Sequence, residues 1–432
     1  MPKSGKPAPK PAPRPDSPLD ADPETRSDDQ AAASDPSRQQ PSAPADTREV
    51  VWIQDTETLR AFCQTARLER VVAFDTEFHR ERTYYARLAL VQLATFRQIA
   101  CVDPLAPGMD LSPLDELVLD PQVLKILHAG RQDLEIFVER TGQVPSPFFD
   151  TQIAAALLGL GEQIGYGPLV QKVCGVPLGK TQVRTDWMHR PLDADVVRYA
   201  ADDVRYLAAL YKNLNDDLLR RGRREWLNEE QRTLSDLNTY KTDPQAAWEK
   251  VKGTDKLKGV GCAIAQRITA WRETTAQELD RPRRRVLPDE IILDLARQRP
   301  RTEAPLERMR GLDPGIRKKY GARLIELVLE SEKMPRDQWP DGRKRGVARE
   351  VDDALVMALA VVLQIQARRA DISQAMLSSR AELADVVAGI RDVPVLNGWR
   401  RELAGEAMLD FLQGRSRLRA EKGKLILEPA GA

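Results

Sequence analysis

The run Val71-Val72-Ala73-Phe74-Asp75-Thr76-Glu77-Phe78 constrains the fold more than any other stretch of the chain. Its β-branched and aromatic residues read as a short buried β-strand with charge at one end. Side chains alternate between the faces of a strand, so Asp75 and Glu77 project from the same side. Two carboxylates on one face of an otherwise apolar strand repel each other and lose hydration on burial, and a cation or a bound proton must then compensate. Two readings stand at this point. Either the pair is an exposed strand end with both acids in water, or it is half of a cation site whose other ligands lie elsewhere in the chain.

At 432 residues the chain exceeds one ordinary domain, and two or three are expected. Charged residues make up 30% of it and no apolar run approaches bilayer length, so no membrane span is expected. The N-terminus has no apolar segment of the secretory kind. Cys63, Cys101, Cys174 and Cys262 are scattered without a C-x-x-C pair, against both a disulfide framework and a zinc site, and a reducing cytoplasm is the expected compartment. Residues 1–47 are rich in Pro, Ala, Ser, Asp and Arg and carry no aromatic residue. Such a segment cannot offset its ordering entropy, and a disordered extension is expected there.

The net charge of +1 hides an asymmetry, because residues 220–349 hold 31 Lys and Arg against 21 Asp and Glu. Clusters fall at Arg220-Arg221-Gly222-Arg223-Arg224, Arg281-Pro282-Arg283-Arg284-Arg285, Arg317-Lys318-Lys319 and Arg343-Lys344-Arg345. Each alone reads equally well as a solvated basic face, whereas four in one region point toward a polyanion such as nucleic acid.

Glu49 to Gln54 reads as a first strand and Asp55 to Leu68 as a helix capped by Asp55 or Thr56. After the Asp75 strand, Leu88–Ala94 and Ile99–Asp103 read as two further strands of a meander. Lys125–His128 is another short buried strand and Gln132–Arg140 a helix. Phe148-Phe149 precedes a helix from Thr151 to Leu160, and Asp193 to Leu219 reads as one long amphipathic helix. These elements make a mixed α/β sheet covered by helices.

Two further acids stand out. Asp133 opens a helix, where a carboxylate also favours the helix dipole. In the long helix Val196, Ala200 and Leu207 mark the buried stripe, and Tyr199 and Asp203, four apart, lie beside it. Asp202 is turned away by about 100° of rotation. Asp203 thus reads as a site acid or as a buried acid bonded to Tyr199. Gly175-Val176-Pro177-Leu178-Gly179-Lys180-Thr181 imitates a phosphate loop, but only three residues separate its glycines where four are required. His79, His128 and His189 form no metal-ligand pattern.

Asp75-Thr76-Glu77, His128-Ala129-Gly130-Arg131-Gln132-Asp133 and Tyr199-Ala200-Ala201-Asp202-Asp203 together resemble the three ordered motifs of the DEDDy 3′–5′ exonucleases. Leu90-Val91-Gln92-Leu93, Val102-Asp103-Pro104 and Thr185-Asp186-Trp187-Met188, followed by Arg190-Pro191-Leu192, resemble bacterial ribonuclease D. The resemblance implies an RNase H-like mixed-sheet exonuclease domain over residues 48–220, then two all-α HRDC-like domains, at 241–325 and 350–428. It implies that Asp75, Glu77, Asp133 and Asp203 hold two divalent cations, Mg²⁺ or Mn²⁺, and that Tyr199 orients the attacking water. All-carboxylate ligands suit such hard cations. Whether Tyr199 also takes the proton is open, since an ordinary phenol is a poor base at neutral pH. The implied partner is RNA with a free 3′ end, tRNA precursors foremost, acted on by a cytoplasmic monomer. A related DNA exonuclease and a non-catalytic nucleic-acid-binding protein are the alternatives, and filling of all five motif positions speaks against the second.

Overall fold

The strand that carries the paired acids lies inside a six-stranded mixed sheet. The computed structural model describes residues 46–179, 185–341 and 351–431. The expected N-terminal extension, apart from Asp46 and Thr47, and the Arg343-Lys344-Arg345 cluster lie outside the described residues, as do Lys180 and Thr181. In chain order the sheet is built from β1 (Val50–Ile53), β2 (Val71–His79), β3 (Arg87–Ala94), β4 (Ile99–Val102), β5 (Leu124–Leu127) and β6 (Phe148–Asp150), arranged β1-β4-β3-β2-β5-β6. β2, β3 and β4 form the antiparallel meander, while β1 joins β4, and β5 and β6 extend from β2, in parallel.

Both faces of the sheet are covered, which is why its strands read as nearly continuous apolar runs. One face packs Val72, Phe74, Val91 and Leu93 against α1 (Thr56–Glu69), α2 (Ser112–Leu119) and α3 (Arg131–Thr141). The other packs Val71, Ala73, Leu90 and Cys101 beneath α6 (Ala194–Arg205) and α7 (Leu207–Arg220), with α4 (Thr151–Leu157) and α5 (Tyr166–Cys174) beside them. Asp75 and Glu77 lie on this second face. Lys125 is fully buried in the core, and its amine donates to the carbonyls of Asp120, Val123 and Ser146 at 2.9, 2.7 and 2.6 Å.

Within the sheet domain, two elements depart from the sequence reading, each because of a tertiary partner. Phe148–Asp150 is an edge strand rather than a mere approach to a helix. Gln231, on α8 (Arg224–Ser235), completes it: its Oε1 accepts from the Asp150 N–H at 2.8 Å and its Nε2 donates to the Phe148 carbonyl at 3.1 Å. The expected single helix from Asp193 to Leu219 breaks at Tyr206, whose backbone N–H donates to the Tyr166 hydroxyl at 3.0 Å. Leu214 and Leu218 of α7 are buried, and α8 closes the sheet edge beyond residue 220.

The remaining described chain is largely helical. α9 (Val260–Glu278), α10 (Arg283–Val286), α11 (Asp289–Gln298), α12 (Glu303–Glu307) and α13 (Pro314–Glu332) enclose their own core of Ile264, Ile268, Ile292, Leu295, Leu324 and Val328. Its seam with the sheet domain is polar and partly buried. The Tyr84 hydroxyl donates to Glu273 and accepts from Arg283 at 2.9 Å, Arg283 grips Glu273 at 2.5 and 2.7 Å, and Asp280 accepts the N–H groups of Tyr84 and Tyr85 at 2.9 and 3.0 Å. Burial alone would raise the Glu273 carboxyl, but the Arg283 and Tyr84 hydrogen bonds hold it below its usual range.

α14 (Asp353–Ala370), α15 (Gln374–Leu377), α16 (Arg380–Val387) and the helical turns over 398–412 dock elsewhere. Trp399 stacks on Trp226 with centroids 4.6 Å apart, and Glu230 accepts from Trp399 Nε1 at 2.9 Å and from both terminal Arg400 nitrogens at 2.5 and 2.8 Å. The chain then closes with a hairpin of β7 (Ser416–Glu421) and β8 (Lys424–Pro429), which the helical pattern did not suggest. Lys422 and Gly423 at its tip both have positive φ, as a tight two-residue hairpin turn requires.

The turn between β5 and α3 is the tightest join near the acids. A Cβ added at Gly130 would meet the Leu127 Cβ at 2.6 Å. Gly130→Ala should therefore destabilise the fold by about 1–3 kcal/mol, as overpacking of a closed site does. Urea unfolding of the two proteins checks this.

Candidate metal centre

Three of the four sequence-predicted acids converge. Carboxylate oxygens of Asp75 and Glu77 on β2 and of Asp203 on α6 all lie within 4.8 Å of one another. Period two on the strand supplies the first pair. Helical packing supplies the third, because α6 lies across β3 and β4 with the Cys101 thiol 3.8 Å from the Val197 carbonyl. A register shift between Glu77 and Phe78 bends β2 immediately beyond the pair, as bulges beside active sites do.

Asp133 stands beside this trio. It is the third residue of α3 and is buried, and its carboxylate accepts the hydroxyl of Thr76, the residue between the two strand acids. Its charge nonetheless reaches both Asp75 and Glu77. Two contacts fix α3 in this place. Phe137, one turn further along, packs edge-to-face on Phe74 at 5.2 Å. Asp150 accepts the N–H groups of Ala129 and Gly130 at 3.2 and 2.9 Å while also capping α4 through the N–H groups of Gln152 and Ile153.

Tyr199 is half-buried on α6, one turn before Asp203. Asp202 faces away and pairs with Arg205 at 2.6 Å. His128, part of the second motif, is tied to the Thr151 hydroxyl at 2.9 Å and the Ile164 carbonyl at 3.1 Å, and is a structural strut. Arg190 forks onto Asp103 at 2.7 and 2.8 Å, so two motif flanks 87 residues apart in sequence are one ion pair.

The electrostatics fit divalent cation binding. Burial, then the charges of Asp133, Asp203 and Glu77, push the Asp75 carboxyl well above its usual range. Burial with Asp203 and Asp133 lifts Glu77 to about 8, and burial with Asp202 lifts Asp203 to about 7. Burial also raises Asp133 to about 6, against the opposing pull of the Thr76 hydroxyl. The donor set is carboxylate oxygen throughout, which fits hard divalent cations.

A family model described as 3′–5′ exonuclease matches residues 50–219, and an HRDC domain model matches residues 263–328. Ribonuclease D of Sphingobium indicum is 39% identical over 379 residues, covering 86% of this chain and 97% of that protein. Ribonuclease D of Jannaschia sp. is 40% identical over 382 residues, covering 87% and 98%. The crystal structure of Escherichia coli RNase D, an exoribonuclease involved in structured RNA processing, matches with a TM-score of 0.75 at 30% identity, over 84% of this chain and 99% of that one. The chain belongs to the ribonuclease D family. It is accordingly a 3′–5′ exoribonuclease, a metal-dependent hydrolase with an RNase H-like sheet domain and a helical HRDC region.

Sequence reasoning placed no role on several residues of this ribonuclease D site. Thr76, Asp150 and Gln92 shape the surroundings of the acids. Asp150 carried a signal, as an Asp directly ahead of a helix, whereas the other two depend on strand register.

The raised acids make stability depend on pH. Glu77 at about 8 and Asp203 at about 7 bind protons in the folded state that the unfolded chain, with ordinary carboxyls near 4, releases. Their contribution is full below pH 4 and is lost as pH rises through 7 to 8. Chelator-treated enzyme should show a Tm decline between pH 5 and 8 that is smaller in Glu77→Gln. Mn²⁺ should raise Tm more at pH 8 than at pH 5, as calorimetry can read.

Proposed function

We propose that Asp75, Glu77, Asp133 and Asp203 hold two Mg²⁺ or Mn²⁺ ions, and that the enzyme trims tRNA precursors and other structured RNAs from a free 3′-OH, one 5′-nucleotide at a time. The convergence of Asp75, Glu77 and Asp203 within 4.8 Å, all pushed above the usual carboxylate range, carries this reading. When bound, the cations supply a water nucleophile at neutral pH and charge stabilisation for the leaving 3′ oxygen. The strand acids fix the two ends of the cluster through the rigid pleat of β2. Asp203 closes it from α6, and Tyr199, on the same helical face, orients water for in-line attack. Thr76 holds Asp133 at the rim. A cytoplasmic monomer, with 48–220 as catalytic unit and 241–325 and 350–428 as two HRDC-like modules, is the organisation we read from the chain.

Alanine at Asp75, Glu77, Asp133 or Asp203 should lower turnover on the order of 10²-fold or more, as loss of a positioned electrostatic group does. Asp202→Ala is the control and should retain near-normal turnover. Tyr199→Phe should lower turnover with metal affinity nearly unchanged. End-labelled RNA resolved at single-nucleotide steps reads all of these. Digestion of a 3′-blocked strand or internal cuts in circular RNA would sink the exonucleolytic reading.

The body of a structured RNA needs its own contacts, and the basic clusters supply them unevenly. Arg223 is buried, donating to the carbonyls of Leu157 and Ala370, and Arg283 is held by Glu273, so both serve as glue between modules. Arg281, Arg285, Lys318 and Lys319 remain exposed. They belong to one region, since Tyr320 packs with Trp271, Ala276 and Val286. Replacing these four with Ala should weaken binding of tRNA-like RNA and flatten its salt dependence by about 0.7–0.9 for each phosphate no longer neutralised. Trimming of short unstructured RNA should be spared. An unchanged salt slope would show that the helical modules only brace the catalytic domain.

A further inference from the structure

The strand pairing that places Asp75 also places Gln92. Gln92 lies directly opposite Asp75 across β2 and β3, and opposite Cys101 across β3 and β4. Side chains so paired share a face, with Cβ atoms about 4.5–5.5 Å apart. Gln92 is fully buried, and among the described residues neither its Oε1 nor its Nε2 has a hydrogen-bond partner. Its strand neighbours on that face, Leu90 and Ala94, are apolar, and α6 covers it from above. The charge of Asp203 reaches Asp75 on one side of Gln92 and Cys101 on the other. The amide is thus enclosed between the two elements that carry the site acids.

A buried amide without partners is rare in folded proteins and calls for a cause. A primary amide offers two N–H donors, and an ionised carboxylate only accepts. Carboxylates that bind metals are themselves commonly hydrogen-bonded by an outer residue that fixes their orientation. Asp75, paired with Gln92 across the two strands, is the neighbour with this need.

We infer that Gln92 is a positioning residue for the ribonuclease reaction: in the cation-loaded enzyme its Nε2–H donates to the Asp75 carboxylate and sets the orientation in which Asp75 meets the cation. The inference rests on the reading of Asp75 as a ligand.

The arrangement predicts effects of opposite sign, which a merely structural glutamine would not produce. Gln92→Met keeps length and volume and removes both polar atoms. In the full chain stripped of metal its Tm should be unchanged or higher, because the resting core loses two unpaired groups. Mn²⁺ affinity, measured by titration calorimetry, should nevertheless fall about 10- to 100-fold, the range for loss of an outer partner. Turnover should fall and partly recover at high Mn²⁺, with KM for RNA unchanged. Gln92→Leu repeats the test should Met pack badly. Wild-type Mn²⁺ affinity in a folded variant overturns the proposal, and so does loss of the fold in both variants, which would make the amide a prop of the resting core. Asp75→Asn separates the two readings. If it leaves Mn²⁺ affinity intact, Asp75 is no ligand, whereas weakening there with none in Gln92→Met overturns the Gln92 role alone.

Discussion

Like charges held close together govern this structure. Two full charges about 4 Å apart repel by roughly 4 kcal/mol at the effective dielectric near a protein surface, and total stability of a domain is only about 5–15 kcal/mol. Asp75, Glu77 and Asp203 form three such pairs, with Asp133 nearby. Burial and this repulsion both favour the protonated form of Asp75, Glu77 and Asp203, and the surrounding scaffold holds the acids together. Phe137 on Phe74, Asp150 across two helix starts and the Arg190–Asp103 fork are the contacts that keep repulsion from opening the site.

The legible part of the site was the part with a local period. Asp75 and Glu77 follow from strand alternation, and the preference for Asp203 over Asp202 follows from the helical stripe. Asp133 was visible only through its resemblance to a motif. Its closeness to β2 is made by the packing of Phe137 and the hydroxyl of Thr76, neither of which leaves a periodic trace. Gln92 stood in a motif flank without a role, because its position opposite Asp75 is a matter of register between two strands. The same holds for the fold. The meander and most helices were readable, whereas β6 depends on Gln231 and the break at Tyr206 depends on Tyr166. Counts of Lys and Arg located the basic half of the chain but not the partners that occupy Arg223 and Arg283.

The two helical regions meet the sheet domain through different chemistry. The first contact is ionic and hydrogen-bonded around Glu273, the second an aromatic stack braced by Glu230 and Arg400. Removing one partner from a buried ionic contact leaves the other uncompensated, typically at a cost of about 3–5 kcal/mol. Both seams carry such a contact, Arg283 on Glu273 in one and Arg400 on Glu230 in the other, and the first reaches the loop that leaves β2.

That loop has a consequence for how the enzyme is made. Tyr84 follows the strand acids by only a few residues, yet its partners Glu273 and Asp280 are 189 and 196 positions further along the chain. Domains assemble from the N-terminus as the ribosome delivers them. A nascent chain that has released every motif acid still lacks the groups that pin the exit of its central strand. The last hydrogen bonds around Tyr84 can therefore form only once the helical region that carries Glu273 and Asp280 has emerged.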